Sequence, residues 1–452
     1  MSGRTYSKTY TKFFNLATFF GVFPFNLQED GTVIDYHRSG PTKLWATLNT
    51  TFLILYLFYQ LGMITVSSVL GRVDKLGWFS QSCWLIMALF PLPSLILYSK
   101  KRQKLCECLT QWVQLEKDLI GGKDTGANMK EKKVSTIFNM NDPALIKEGM
   151  EYESFRRGLF CFHAQEKTFK KLMWMYCFIA IITSCVVGLH NLSNPDFPAY
   201  FTSLLDPKRD NSIIIYASSA MQFYMVGLCV IHVGSFEILM MGCVRSIRHC
   251  IESLSNLNSV SMERRAVCGR KKPKNDTLDV ATIAENIEKR DATQYGSQQE
   301  MQVEEATDNY RRVEFVVENI NECFSGSFLA HQTMYLAMMC ILIFVFLRSS
   351  ENNSIITSIF FSTYSIFFTL RICCLLPFLG KLGEDSEIFI YSWLEEIPKL
   401  LRGGKPYETA EVKLHACRIL GINCGDYYDI QGSTILTFFS IVTTYLIILL
   451  QL

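Results

Sequence analysis

Seven stretches of this chain stay apolar over roughly the 20 residues that an α-helix needs to cross about 30 Å of hydrocarbon, and charged segments separate them. They cover residues 44–69, 78–98, 172–189, 213 to beyond 233, 324–347, 355–379 and 433–452. In lipid only a helix or a closed barrel satisfies its own backbone, and unbroken apolar runs of this length mean helices. The expected fold class is therefore all-α, a polytopic membrane protein with seven transmembrane helices. With 49% apolar residues and a mean hydropathy of +0.17, the chain lies between a soluble protein and one that is all membrane, so sizeable polar loops join the spans. A formal charge of +2 gives no support to nucleic-acid binding. The opening MSGRTYSKTYTKFF does not read as a secretory signal, because its charges are spread and Asn, Pro and Gln interrupt the apolar patch after it.

Orientation follows from the basic residues beside the spans. Lys100, Lys101, Arg102 and Lys104 follow span two, Arg245 and Arg248 follow span four, and Lys381, Lys399, Arg402 and Lys405 follow span six. The loops after spans three and five are short and poorer in Lys and Arg. The N-terminus is expected in the cytoplasm and the C-terminus outside, the reverse of a G-protein-coupled receptor. Asn191 and Asn352 open glycosylation sequons in loops expected outside, while Asn275 opens one in a loop expected inside. None of the 16 cysteines falls in an expected external loop, which suits thiols kept reduced. Cys106/Cys108 and Cys373/Cys374 are metal candidates only in name, since no tetrahedral ligand set converges on them.

The expected organisation is a cytoplasmic N-terminus over 1–43 and spans one to four over 44–255, with a cytoplasmic loop at 99–171. A disordered loop follows over 256–312, then spans five and six over 313–379, an anchor region over 380–431 and the last span over 432–452. The stretch IGGKDTGANMKEKK and the 256–312 loop are rich in charge, Gly, Asn and Gln and poor in large apolar side chains. In YETAEVKLHACRIL, Tyr407, Ala410, Leu414 and Cys417 fall on one helical face, with Gly421 as the expected stop. No internal repeat is visible, which disfavours an inverted-repeat transporter. No nucleophile elbow, P-loop, HExxH or paired-carboxylate motif occurs, and the histidines are scattered, so no enzyme, metal or cofactor chemistry is expected. Glu237 is an acid in an apolar run, a functional candidate by default; its nearness to Arg245 predicts a solvated or paired residue where span four leaves the membrane.

The last span, STILTFFSIVTTYLIILLQL, carries no charge but holds Ser433, Thr434, Thr437, Ser440, Thr443, Thr444 and Gln451. A helix wholly in lipid has no use for so many hydroxyls, whereas a helix interface or a water path does. Thr444-Tyr445, five apolar residues and Gln451 resemble the C-terminal signature of the insect gustatory receptors, Thr-Tyr, five hydrophobics, Gln-Phe, with Leu452 in the place of Phe. The lead-in FFNLATFFGVFPFNLQEDG, the seven spans and the expected topology resemble that family too, and the related odorant co-receptor ends similarly in Gln-Leu. The resemblance implies a ligand-gated cation channel of four subunits, homomeric or formed with related subunits, in the plasma membrane of chemosensory neurons. The last helix would line the pore and the helix before it would join a central anchor. Carried over, Tyr445 begins the pore motif, Ile448 faces the axis, and Gln451 and Leu452 form the outer constriction. Rings of apolar side chains and amides without charge imply little discrimination among small cations.

The same resemblance implies a pocket for a small tastant, sugar or bitter compound, in the outer half of spans two to six. The candidates there are Trp78, Gln81 and Trp84, then Ser184 and His190, then Tyr216, Ser219, Gln222 and Tyr224, then Tyr335, and finally Thr357, Ser358, Ser362 and Tyr364. Aromatic walls with a few aimed polar groups suit such ligands; interhelical hydrogen bonding is the ordinary use of each residue alone.

Overall fold

The computed structural model describes residues 15, 17–18, 25–27, 33–35, 40–71, 75–121, 178, 181–193, 212–268, 280–349, 355–400 and 405–451. A short hairpin, β1 (Phe25–Leu27) and β2 (Val33–Asp35), precedes α1 (Gly40–Val69), α2 (Lys75–Leu89), α3 (Pro91–Lys100) and α4 (Arg102–Glu116). The apolar helix α5 (Ile181–Ser193) is followed by α6 (Ser212–Cys268), α7 (Val280–Ser349), α8 (Ile355–Leu400) and α9 (Lys405–His415). A second hairpin, β3 (Asn423–Cys424) and β4 (Tyr428–Asp429), leads into α10 (Thr434–Gln451).

Six apolar segments, namely α1, α2 with α3, α6, α7, α8 and α10, are long enough to cross a membrane, and α5 lies on the remaining expected span. Pro91 sets the only break along span two, at the first position of α3, where its missing N–H costs nothing. With 46 residues, α8 is roughly 69 Å long at 1.5 Å per residue, more than twice the hydrocarbon thickness. It is long enough to reach past the bilayer, and the ends of α6, α7 and α8 that pack with α4 and α9 are called the anchor ends below.

The structure corrects the reading of 256–312, which is helical at 256–268 and again from 280 onward. Val303, Ala306, Tyr310, Val313 and Val317 form a buried stripe at helical spacing. The Tyr310 ring stacks on Phe389 of α8 at 4.7 Å between centroids, and its hydroxyl donates to the Arg418 carbonyl at 2.8 Å. Composition suggested disorder because the solvent face of this helix is crowded with Glu, Asp and Arg, several of them in ion pairs. Lys413 reaches Glu304 at 2.6 Å, Arg418 reaches Glu318 at 3.3 Å, and Arg312 pairs with Asp118.

The predicted face is buried, with Ala410 and Leu414 of α9 and Cys417 just past its end inward and Tyr407 packed beside them. Burial pushes the Cys417 thiol up to about 11, so it is a packing residue rather than a reactive thiolate. The helix ends at His415, not at Gly421. The chain then turns into the β3–β4 hairpin, which the sequence reading did not foresee. Asn321 of α7 holds that hairpin, donating to the Gly421 carbonyl at 2.8 Å and accepting from the Asn423 N–H at 3.0 Å. Gly425 makes the hairpin turn at φ +60°, and a Cβ there would lie 2.9 Å from Leu329. Left-handed backbone costs a side-chain-bearing residue about 1–2 kcal/mol, so Gly425→Ala lowers the thermal midpoint of the detergent-purified protein by several degrees. An unchanged midpoint contradicts the turn geometry.

Candidate functional site

Two regions are candidates for a functional site: a cluster of aromatic rings with a small cavity beside it between α2, α5, α6 and α8, called the chamber below, and the exposed face of α10. The cluster forms because α2, α5 and α8 turn aromatic side chains toward one another. Trp84 stacks on Phe360 at 5.8 Å, the His190 ring lies against Phe360 at 4.8 Å, and Tyr364 lies against it at 4.7 Å. One turn toward the anchor lies a small cavity lined by Phe90, Thr183, Val230, Val233, Phe367 and Phe368, among others. Its free space is about that of one water molecule. A larger guest enters only by displacing side chains, with Trp84 and Phe360 closing the far end. The Tyr364 hydroxyl is turned to the Thr183 carbonyl at 3.2 Å, so it braces α8 against α5.

The end of the cavity nearest the anchor is charged. Arg371 of α8 lines it, and its Nε donates to Glu237 of α6 at 2.5 Å. Tyr335 of α7 donates its hydroxyl to the same carboxylate. The guanidinium lies over the Tyr335 and Phe367 rings, 5.4 and 5.6 Å from their centroids. Both charged side chains are almost wholly shielded from solvent, at 3% and 1% exposure. Glu237 is thus the paired residue that was one of the two expectations, with Arg371, 134 residues away, as an ion-pair partner. It is not a solvated residue. Burying two charges is costly unless their hydrogen bonds are complete, and this arrangement meets that condition for the carboxylate from two helices at once.

The predicted pocket residues divide. Trp84, His190, Tyr364 and Tyr335 surround the chamber, Tyr335 on its charged floor. Ser184 is buried where α5 and α6 approach closely, and a Cβ on Gly227 would lie 2.9 Å from its hydroxyl. Gln81 and Ser219 are buried with no hydrogen-bond partner for either end of the Gln81 amide or for the Ser219 hydroxyl among the described residues. Ser358 and Ser362 are half-buried, and the Thr357 side chain lies outside the description. Four candidates face elsewhere. Trp78 and Tyr216 are exposed, Gln222 accepts from Tyr56 of α1 at 2.8 Å, and Tyr224 donates to Asn49 of α1 at 2.7 Å. The last two tie α1 to α6, because α6 carries polar residues on more than one face. Asn191 is fully buried with its amide on Ser218 at 3.1 Å, which withdraws it as a glycosylation site. Asn352 and Leu452 lie outside the described residues. Among the described residues, no three His, Cys, Asp or Glu side chains converge as a metal site.

Only Phe438 and Val442 of α10 are buried. Ile435, Phe439, Leu446 and Leu449 flank them against the core, and α10 runs alongside α7, with Arg348 donating to the Leu450 carbonyl at 3.2 Å. At 3.6 residues per turn, Thr437, Ser440, Thr444 and Gln451 point within roughly 40° of the direction opposite Val442. All four are exposed, as are Tyr445 to one side and Ile448 between. The polar stripe of this helix therefore lies on the face its own subunit leaves uncovered.

Sequence reasoning missed the joint that ties the chamber to α10. Arg371 and Gly380 lie on the same helix, with Pro377 between them. A Cβ on Gly380 would lie 2.5 Å from the Gln431 carbonyl carbon and 2.6 Å from the Gly432 nitrogen, the residues that enter α10. The signal was present as Pro377-x-x-Gly380, a helix weakened where another backbone must approach.

Residues 146–375, just over half of the chain, match the family described as 7tm Odorant receptor. No curated protein sequence matches the chain significantly. The fold is similar to that of the insect olfactory receptor OR5 from Machilis hrabei in complex with eugenol, with a TM-score of 0.64 and 12% identity over 97% of this chain and 98% of that one. A second structure of the same receptor gives a TM-score of 0.63 and 11% identity over 97% of each chain. The family match, joined to the spans and the shared fold, makes the conclusion direct: the chain belongs to the seven-transmembrane odorant receptor family, as a multi-pass membrane receptor and not an enzyme.

Proposed function

We propose that this chain is a subunit of a ligand-gated, non-selective cation channel, opened by a small molecule in the chamber between α2, α5, α6 and α8. The observation that carries the reading is the face of α10. A helix whose uncovered side bears Thr437, Ser440, Thr444 and Gln451, beside the exposed Leu436, Ile447 and Ile448, offers a hydroxyl and amide stripe suited to water within an otherwise apolar face. Four copies with that face on a common axis would form the pore, with the anchor ends of α7, α8 and α9 holding them together. Tyr445 would meet the neighbouring subunit, while Ile448, Gln451 and Leu452 would set the constriction. In this reading the N-terminus is cytoplasmic, the C-terminus is external, and the channel works in the plasma membrane of chemosensory neurons, as a homotetramer or with related subunits.

The ligand is a tastant or an odorant. The Thr444-Tyr445…Gln451 signature favours taste, and the family match over residues 146–375 favours smell. Walls of Tyr364, Phe367 and Phe368, with Trp84 and Phe360 stacked beyond them, suit a compact, largely apolar molecule that displaces side chains on entry better than a sugar, which needs several aimed amides and acids. The Machilis hrabei receptor was solved with eugenol, a small aromatic molecule, and this supports the same direction.

Whole-cell recording from cells expressing the chain, against a panel of odorants, bitter compounds and sugars, tests the proposal with Gln451→Ala in parallel. The expected result is a ligand-evoked cation current whose relative permeabilities shift severalfold in the variant. A current unchanged by Gln451→Ala argues against the constriction. Absence of any current from surface-delivered protein, alone or with co-expressed family subunits, argues against the channel.

A further inference from the structure

We infer that Cys373 and Cys374 of α8 are sites of reversible S-acylation by a long-chain fatty acid. Both thiols are free and exposed. Free cysteine is ordinarily among the most buried residue types, and among the described residues most cysteines are buried. Ile372, Leu375 and Leu376 on either side of the pair are buried, so the helix turns its apolar packing inward and the two thiols outward. At 3.6 residues per turn, Ile359, Ile366, Leu370 and Cys373 fall within roughly 60° on one side of α8, with Cys374 at the edge of that stripe. The three apolar residues are each more than half exposed, and lipid tails, as apolar as leucine, suit such a face. The same side then turns charged, with Lys381, Glu384 and Glu387 all exposed. The pair therefore lies about 10 Å along the axis from the first charge on its stripe, at the edge of the hydrocarbon.

The side of the membrane is the second condition. Lys381, Lys399, Arg402 and Lys405 follow this span, which puts the pair at its cytoplasmic end. The inference rests on that orientation and goes beyond the channel reading. Cysteines at such a boundary are where reversible acylation occurs, with a long-chain acyl-coenzyme A as donor and a cellular acyltransferase as catalyst. The cysteine sulfur attacks the acyl carbonyl, the bond from that carbonyl to the coenzyme A sulfur breaks, and the cysteine proton leaves on the coenzyme A thiol. One thioester replaces another, so neither oxidant nor reductant is consumed. A lipid-facing position needs only an apolar side chain, whereas two adjacent thiols supply nucleophiles that leucine lacks. The acyl chain would run along the Leu370 and Ile366 stripe, about two turns from Gly380, where the entry to α10 packs. Cys185 of α5 is exposed too, but it lies near the outer end of its expected span, away from cytoplasmic acyl-coenzyme A, and it is expected to stay free.

The test is acyl exchange on the full chain expressed in insect cells. Free thiols are blocked, hydroxylamine cleaves thioesters, and a maleimide–polyethylene glycol tag marks each thiol released. Endogenous acylated membrane proteins in the same lysate serve as the positive control. The wild type is expected to carry up to two hydroxylamine-dependent tags that Cys373→Ser/Cys374→Ser lacks, while Cys185→Ser keeps them. Because both positions are exposed, the double variant is expected to keep the wild-type thermal midpoint, which separates lost acylation from misfolding. A tag pattern shared by the double variant and the wild type overturns the inference, as does a wild type with no hydroxylamine-dependent tag. A C-terminal epitope on the same cells reads the orientation separately. Staining of intact cells without tags overturns this inference alone, and staining only after permeabilisation overturns the orientation with it.

Discussion

Glu237→Ala is expected to lose most of the folded, surface-delivered protein. The substitution leaves the Arg371 guanidinium in the membrane interior without its carboxylate and the Tyr335 hydroxyl without its acceptor. Removing one partner of a buried ion pair costs about 3–5 kcal/mol, a large part of the total stability of an ordinary domain. Surface biotinylation and the thermal midpoint of the purified protein report the loss. The control is the apolar pair Glu237→Leu/Arg371→Met, which is expected to recover much of the yield because neither charge remains. A single variant as stable as the wild type contradicts the buried pair. A double variant no better than the single contradicts the attribution to unpaired charge.

The second large effect is expected at Gly380. The added methyl of Gly380→Ala meets backbone at 2.5 and 2.6 Å, and backbone cannot swing aside as a side chain can. Overpacking of this kind costs about 1–3 kcal/mol, and relief comes only if α8 and the entry to α10 separate. Since that entry positions α10, the proposed pore helix, the variant is expected to fold with a lower thermal midpoint and to shift the half-maximal ligand concentration by tenfold or more. Gly432→Ala is the comparison. Its Cβ would meet only the Glu384 carboxylate oxygen, at 2.9 Å, the far end of a flexible side chain. The expected order is a strong effect at Gly380 and a weak one at Gly432. Equal effects contradict the role of the close backbone approach.

The spans were legible because the bilayer imposes one length on every crossing, and a run such as Ser433–Leu452 has no other use. The α9 face was legible because Tyr407, Ala410, Leu414 and Cys417 keep helical spacing over three turns. The buried stripe from Val303 to Val317 follows the same rule, but it sits among so many charges that composition masked its period. The partner of Glu237 was not legible. Reading along the helix finds Arg245 eight residues on, whereas the fold brings in Arg371 from another helix. Pocket candidates on α6 failed for a related reason: Gln222 and Tyr224 are polar and at the right depth, yet their faces turn to α1, and only packing fixes which face of a buried helix meets which neighbour. The hydroxyls of α10 were legible as a group; their alignment opposite Phe438 and Val442 became visible once the buried side was known.

The central claim is that the uncovered face of α10 lines a water path. Single cysteines introduced from 437 to 451 and exposed to a charged, membrane-impermeant thiol reagent during ligand application test it most directly, with unsubstituted protein as the control for native thiols. The account predicts current block with helical period, strong at 437, 440, 444 and 451 and absent at 438 and 442. Uniform protection along the helix, or reactivity that follows the buried face, would contradict it.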